Sequence, residues 1–296
     1  MESGSIPLAA VPGPFDLQAT LESGQTFRWS RPDGQMYQDA VPHGGDAWYR
    51  TVVDELAVEL RQTADAIEWR APGDPVDGIR EHLRLTAEMA AQIDALPDDD
   101  TTTAARAAFP GLHVVDEPFF PTLISFVLSA QMRVERIHDL VQTLSERYGT
   151  AHRLGDDTVY AFPDPETLAA VPEADLRELG LGYRAPYVKS TAGMVATGEV
   201  TAADVRGRPY EEARTAATQF VGVGEKVADC VLLFSLGYTE PVPLDTWIRS
   251  AIADHYPDCD KGSYADTSRA IRERLGGVYA GYAQTYLFYY LRAGGE

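Results

Sequence analysis

Over its first hundred residues the chain alternates apolar and polar positions in short runs broken by Gly, Pro and Asp. Residues 26–29, 47–53, 55–60 and 66–70 carry this period of two. It sends successive side chains to opposite faces of a pleated ribbon and predicts strands of an antiparallel sheet. From Pro75 the spacing lengthens, with Ile79, Leu83, Met89 and Ile93 recurring at helical intervals. Residues 97–103, acidic and threonine-rich, read as a surface connection. Beyond them the apolar positions predict helices over 119–128, 133–148, 176–179, 187–196, 210–220, 226–236, 247–255, 264–275 and 280–291. The expected fold class is α+β. An N-terminal antiparallel β-sheet subdomain over 1–104, with a helix near its end, precedes a mostly α-helical domain over 105–296. No solenoid-length repeat or low-complexity segment interrupts it.

A chain of 296 residues with 45% hydrophobic content can bury a real core, which excludes a disordered or disulfide-stapled protein. No apolar run reaches the roughly 18 residues needed to cross a membrane, and residues 1–5 lack the features of a secretory signal. A soluble, cytoplasmic protein is expected. Cys230 and Cys259 are the two cysteines, too few for a four-cysteine iron-sulfur cluster. The 45 acidic residues outweigh 25 basic ones, a net charge of -20, which is the reverse of an ordinary phosphate binder. Lysine, however, is reduced to Lys189, Lys226 and Lys261, and an acid-rich, lysine-poor chain suits a salt-rich cytoplasm. At molar salt the Debye length is about 3 Å, so such a surface does not keep a polyanion away. Affinity for one would come from backbone amides, stacking and side-chain insertion.

One of the three lysines sits in the run FVGVGEKVADC, residues 220–230. Gly222 and Gly224 flank Val223 and free the backbone for a tight hairpin between two helices. Lys226 then falls in the first turn of the second helix. A lysine is a nucleophile only as the free amine, a form favoured by a helix N-terminus and by apolar neighbours such as Val223 and Val227. Asp245 follows in PLDTW, residues 243–247; taken alone it is a helix N-cap.

Together with LESGQTFRW (21–29) and GYAQTYLFYY (281–290), this hairpin resembles the helix-hairpin-helix (HhH-GPD) DNA glycosylases, specifically the lysine-bearing 8-oxoguanine DNA glycosylase/lyase type. The resemblance spans roughly residues 16–292. It implies base-excision repair: Lys226 attacks C1′ of a flipped nucleoside, expels the oxidised base and forms a Schiff base that allows β-elimination. Asp245 would cap its helix and stabilise the positive charge developing at C1′. The Gly24 carbonyl would accept the N7 hydrogen that 8-oxoguanine has and guanine lacks. Gln284 would bond the Watson-Crick edge. Phe288, one helical turn on, would stack on one face of the base and Cys230 pack on the other.

For the DNA itself, the resemblance implies a phosphate held by the amides of Val221, Gly222, Val223 and Gly224, with a monovalent cation facing the carbonyls of Val221 and Val223. Tyr183 would be the wedge beside the lesion and Arg184 would contact the unpaired cytosine. Gln131 would fill the gap and Arg136 read the estranged base. Trp247 stands where many members have histidine, and Gln131 and Met132 where eukaryotic relatives have asparagines. The implied partner is double-stranded DNA containing 8-oxoguanine. The implied protein is a monomeric, nucleoid-associated enzyme of a halophilic archaeal host, with no cofactor and no iron-sulfur cluster. A second reading is a monofunctional 3-methyladenine (alkylpurine) DNA glycosylase of the same fold, which uses an aspartate and a water without the lysine. A third is a noncatalytic DNA-binding module, which needs neither Asp245 nor a base pocket.

Overall fold

The computed structural model describes residues 1–38, 46–86 and 89–295. Strands β1 (Glu2–Pro7), β2 (Trp48–Val53), β3 (Leu56–Gln62) and β4 (Ala66–Ala71) form an antiparallel sheet in the order β1-β4-β3-β2. The register sets Trp48 opposite Arg61 and Glu59 opposite Arg70. On that face the Arg61 and Arg70 guanidinium carbons lie 4.8 and 4.2 Å from the Trp48 ring, and Glu59 pairs with Arg50 and Arg70. The alternate positions Tyr49, Leu60 and Ile67 are fully buried. Edge strand β1 begins with small polar residues that show no alternation, so its sequence did not announce it. Gly4 is needed there, because a Cβ would meet the Trp69 ring at 2.6 Å.

Residues 26–29, expected as a strand, do not form one. Gln25 is buried, donates to the carbonyls of Thr20 (2.9 Å) and His113 (2.7 Å), and accepts the Val115 N–H at 2.8 Å. Arg28 pairs with Glu117 at 2.7 Å, and the Trp29 indole donates to the same carboxylate at 3.1 Å. The alternation is spent on side-chain ties to residues 113–117, and one bridge, Ser30 to Arg50, joins the segment to the sheet. The preceding helix α1 (Leu17–Glu22) is buried on every side and capped by Asp16, which accepts the Ala19 N–H.

Helices α2 (Val76–His82) and α3 (Met89–Asp94) follow. The expected surface connection at 97–103 is instead the start of α4 (Asp100–Ala108): the Asp99 carboxylate accepts the Thr102 N–H at 2.9 Å, a local cap that outweighs the polar composition. Residue 104 lies inside this helix. After α5 (Phe119–Leu128) and α6 (Val134–Tyr148), a hairpin of β5 (Ala151–Leu154) and β6 (Asp157–Tyr160) breaks the expected all-helical run. Its Leu154 and Val159 join Val52 and Ala57 in a small second core beside the sheet.

The remaining helices are α7 (Pro165–Ala170), α8 (Glu173–Leu176), α9 (Ala185–Thr197), α10 (Ala202–Val205), α11 (Tyr210–Ala217), α12 (Glu225–Ser235), α13 (Thr246–His255), α14 (Tyr264–Arg274) and α15 (Ala280–Arg292). Residues 176–179 are helical as expected: Leu176 ends α8 and a π-helical turn over Arg177–Leu181 continues it, with Gly180 at φ 94°. One apolar core runs from Ile6 in β1 to Tyr289 in α15, so sheet and helices are packed together. Phe109, just past α4, stacks on Tyr289 with ring centroids 4.5 Å apart and fixes α15 against the N-terminal half.

Candidate active site

Helices α11 and α12 are joined by the hairpin the two glycines predict. Gly222 has φ 81°, and a Cβ there would lie 2.8 Å from the Cβ of Tyr187, so both conformation and space exclude a side chain. Val223 is buried as the apolar plug of the turn, whereas Val221 is 40% exposed. The Val221 carbonyl accepts the Thr191 hydroxyl at 2.6 Å, which ties the hairpin to α9. Gly224 is the N-cap of α12, and Lys226 stands in the first turn as expected.

A cavity of about 720 Å³ opens where the end of α1, the α5–α6 loop, α12, the start of α13 and α15 converge. It brings together Lys226, Asp245, Gly24, Cys230, Gln284 and Phe288, with Gln131 on its wall. These residues come from segments as distant as 24 and 288, so no local pattern could have assembled them. The Lys226 ammonium group donates to the Ser129 hydroxyl at 3.0 Å and lies 5.5 Å from the centre of the Phe126 ring. The other lysines are elsewhere. Lys189 donates to the carbonyls of Ala169 and Val171 at the end of α7, and Lys261 is exposed.

Asp245 is the N-cap of α13 and accepts the Ile248 N–H at 2.8 Å. Burial pushes its carboxyl above the usual carboxylate range; the Ile248 N–H and then Lys226 pull the other way. Cys230 is 3% exposed, and burial raises its thiol to about 12, so it presents a neutral, apolar wall. Gln284 is buried with its Oε1 3.4 Å from the Thr285 hydroxyl, and Phe288 is half-buried one turn further along α15. Gly24 has φ 90°, and a Cβ there would sit 3.1 Å from both Phe288 and Arg292. Ser129, Phe126 and Arg292 were not singled out from the sequence: a serine in a loop, an apolar helix residue and a terminal arginine carry no motif of their own.

Of the residues expected to meet DNA, Gln131 lines the cavity, and Tyr183, Arg184, Arg136 and the hairpin are not among its lining residues. Tyr183 is 51% exposed, with the Arg184 guanidinium 4.3 Å from its ring. Arg184 itself is buried and donates to the Ala130 carbonyl, so it is not a free surface cation: it ties the 179–184 loop to the loop after α5. Arg136 is exposed and lies over Gly180, where a Cβ would stand 2.6 Å from its guanidinium. Gln131 is exposed with φ 53°. The hairpin Val221 to Gly224 closes the same side of the molecule, since Gly222 packs on Tyr187 and Tyr187 is in edge contact with Tyr183.

A primary amine and a carboxylate on the wall of an apolar cavity, beside an aromatic ring and a side-chain amide, can receive a planar polar heterocycle and do nucleophilic chemistry on what it carries. Comparison with known proteins agrees. A probable N-glycosylase/DNA lyase of Methanothermobacter thermautotrophicus is 29% identical over 96% of this chain and 95% of its own length. The N-glycosylase/DNA lyase of Saccharomyces cerevisiae is 28% identical over 92% of this chain and 82% of its own. The structure of Clostridium acetobutylicum 8-oxoguanine glycosylase/lyase, in complex with double-stranded DNA containing cytosine opposite 8-oxoguanine, has a TM-score of 0.83 and 26% identity. It covers 95% of this chain and 93% of that one. Residues 124–276, which hold the hairpin, Lys226 and Asp245, match the HhH-GPD superfamily base excision DNA repair proteins, and the chain belongs to that family.

Proposed function

We propose that the protein is a bifunctional 8-oxoguanine DNA glycosylase and AP lyase acting on duplex DNA. The observation that carries this reading is a cavity that gathers an amine (Lys226), a carboxylate (Asp245) and the residues expected to contact the base (Gly24, Cys230, Gln284 and Phe288). The flipped nucleotide enters the cavity base first. Lys226 Nζ forms a bond to C1′ as the bond from C1′ to N9 breaks, and the bonding pair leaves with the base, which takes up a proton. The Asp245 carboxylate stabilises the positive charge that builds on the sugar. The ring-opened Schiff base acidifies C2′, and loss of that proton expels the 3′ phosphate. Ser129, by accepting an N–H of Lys226, sets the direction of the remaining amine orbital.

Selection of the base begins at Gly24, whose carbonyl accepts the lesion's N7–H; guanine presents an acceptor there and loses about 1–3 kcal/mol. Gln284 reads the Watson-Crick edge, and Phe288 and Cys230 hold the two faces. Tyr183, outside the cavity, fills the stack, Gln131 on the cavity wall and Arg136 on α6 face the estranged base, and Arg184 positions the loop after α5 through Ala130. The amides of Val221, Gly222 and Gly224 hold a phosphate, while the Val223 N–H, expected to join them, donates to the Phe220 carbonyl at 3.1 Å. A structural monovalent cation would be held by the Val221 and Val223 carbonyls; the Val221 oxygen, with one lone pair on Thr191, keeps a second. Such an ion would add positive charge near the phosphate. The enzyme works at high salt, as its acidic surface suggests.

An alkylpurine glycosylase that activates water gains nothing from an amine in the cavity, so Lys226 favours the lyase reading. Borohydride reduction of the protein with 8-oxoguanine duplex should trap a covalent adduct that is lost in Lys226→Gln. An undiminished adduct in that variant would remove Lys226 as the nucleophile. Release of 3-methyladenine without any adduct would favour the water-dependent reading.

A further inference from the structure

Arg292, the last residue of α15, lines the cavity together with Lys226. Its Nη2 donates to the Glu22 carbonyl at the end of α1. The rings of Tyr289, Tyr37 and Phe288 lie 5.0, 5.6 and 5.8 Å from its central carbon, which confines the group. Nη1 is different. It is buried and, among the described residues, has no hydrogen-bond partner. It also approaches Gly24 so closely that a Cβ there would sit 3.1 Å away.

A buried cationic N–H without an acceptor is costly; Arg84 Nη2 and Arg184 Nε share that state away from the cavity, but Arg292 lines the cavity, where a ligand can supply the missing oxygen. Arginine can only donate, so the ligand atom must be an acceptor. Oxidised guanine presents on one edge N7–H, a donor, beside C8=O, an acceptor. The complement is an acceptor beside a donor, and the Gly24 backbone with Arg292 Nη1 is such a pair. This step rests on the reading of the cavity as an 8-oxoguanine site. We propose that Arg292 is a specificity residue that donates from Nη1 to O8 of the extruded base, next to the N7–H accepted by Gly24.

Guanine then fails twice: its N7 faces a carbonyl, and its C8–H leaves Nη1 unpaired. A contact to O6 would not discriminate, because guanine has the same oxygen. Discrimination is strongest when a site loses a required hydrogen bond to the wrong substrate.

Arg292→Met keeps much of the stem and removes the donors, and Arg292→Lys restores a donor. Three single-turnover readouts separate the outcomes: excision of 8-oxoguanine, excision of 8-oxoadenine, which keeps N7–H and O8 but has an amino group in place of O6, and borohydride trapping on a preformed abasic site, which carries no base. In Arg292→Met, excision of 8-oxoguanine should fall about 10- to 100-fold, the scale of one charged hydrogen bond. Excision of 8-oxoadenine should fall by the same factor, trapping on the abasic site should stay within about twofold, and Arg292→Lys should recover part of the loss. Unchanged excision of 8-oxoguanine overturns the proposal. An equal loss on abasic DNA reduces Arg292 to packing, and a loss on 8-oxoguanine alone moves the contact to O6; both overturn it. If wild-type protein traps abasic DNA but releases no 8-oxoguanine, the substrate reading itself fails, an outcome distinct from an active enzyme indifferent to Arg292.

Discussion

Replacing Asp245 by asparagine separates the two jobs assigned to this carboxylate. The structural job is the cap: Oδ1 accepts the Ile248 N–H at 2.8 Å, and asparagine caps a helix about as well as aspartate, whereas alanine costs about 1 kcal/mol. The charge works against stability. Burial raises the Asp245 carboxyl above its unfolded value, so the ionised folded state carries a penalty at neutral pH that disappears as pH falls below the ordinary carboxylate range. Asp245→Asn should therefore be at least as stable as wild type near neutrality, with any advantage shrinking in acid. The catalytic job has no substitute in an amide. Losing one electrostatic stabiliser of a developing charge costs about 10²- to 10³-fold, or about 2.7–4 kcal/mol of barrier. Single-turnover release of 8-oxoguanine across about pH 5 to 8, with melting temperatures measured in parallel, tests both. Wild-type activity should decline in acid at a pH above that of an ordinary carboxylate, and the residual activity of Asp245→Asn should lack that limb. Release by Asp245→Asn at the wild-type rate, or a loss of rate that merely tracks a loss of stability, would refute the assignment and leave a helix cap.

Three further outcomes follow. Gly24→Ala places a side chain at φ 90° with neighbours at 3.1 Å, so it should lose about 1–2 kcal/mol, or roughly 2–8 °C in melting temperature. Its excision of 8-oxoguanine should fall at least about tenfold while trapping on abasic DNA persists; excision unaffected by the methyl would release Gly24 from base recognition. Asp229, buried on α12 and held by the hydroxyls of Tyr210 and Tyr264, has its carboxyl raised to about 7 by burial, against the pull of Arg214. Its ionised form costs stability above about pH 7 and the cost vanishes below the ordinary carboxylate range, so the stability of Asp229→Asn relative to wild type should improve as pH rises from about 4 to 7; a flat difference would show that the carboxyl does not titrate there. Lesion binding should weaken with salt at a logarithmic slope near about -3, for roughly three released counterions, so activity persists near molar salt in folded protein; a slope of about -6 or steeper would contradict this.

How far the molecule could be read in its sequence depended on whether the signal was local. The hairpin, Lys226 at the first turn of α12 and Asp245 at the start of α13 are set by glycine placement and capping within a few residues, and they were legible. So were β2 to β4, whose alternation survives because one face meets the core. The segment after α1 misled for the opposite reason. Its alternation is real, but Gln25, Arg28 and Trp29 spend it on partners some ninety residues away at 113–117. The threonine-rich start of α4 was hidden because a single Asp99 cap decides it. The surroundings of Lys226 were illegible in principle: Ser129, Phe126 and Arg292 acquire meaning only when α5, α12 and α15 converge on one cavity. Family resemblance supplied Gly24, Cys230, Gln284 and Phe288, which periodicity alone would have left as a turn and three core residues.

The charge distribution explains how a chain of net charge -20 can serve the proposed substrate. Many of its arginines are paired with carboxylates: Arg28 to buried Glu117, Arg50 to Glu59, Arg214 to buried Asp229, and Arg269 and Arg272 to Glu211 at the surface. The arginines on the cavity wall are not. Arg133, Arg249 and Arg292 enter no ion pair among the described residues, and Arg133 and Arg249 are exposed. Net charge measures the far field, which salt erases within a Debye length, whereas a phosphate at contact distance meets the local residues. Arginines without a carboxylate partner on the cavity wall therefore let the rest of the surface be acidic without opposing the proposed step, the approach of a flipped nucleotide to Lys226. This arrangement also concentrates the specificity of binding in short-range contacts, which is why substitutions at Gly24, Asp245 and Arg292 should change excision far more than any single surface charge does.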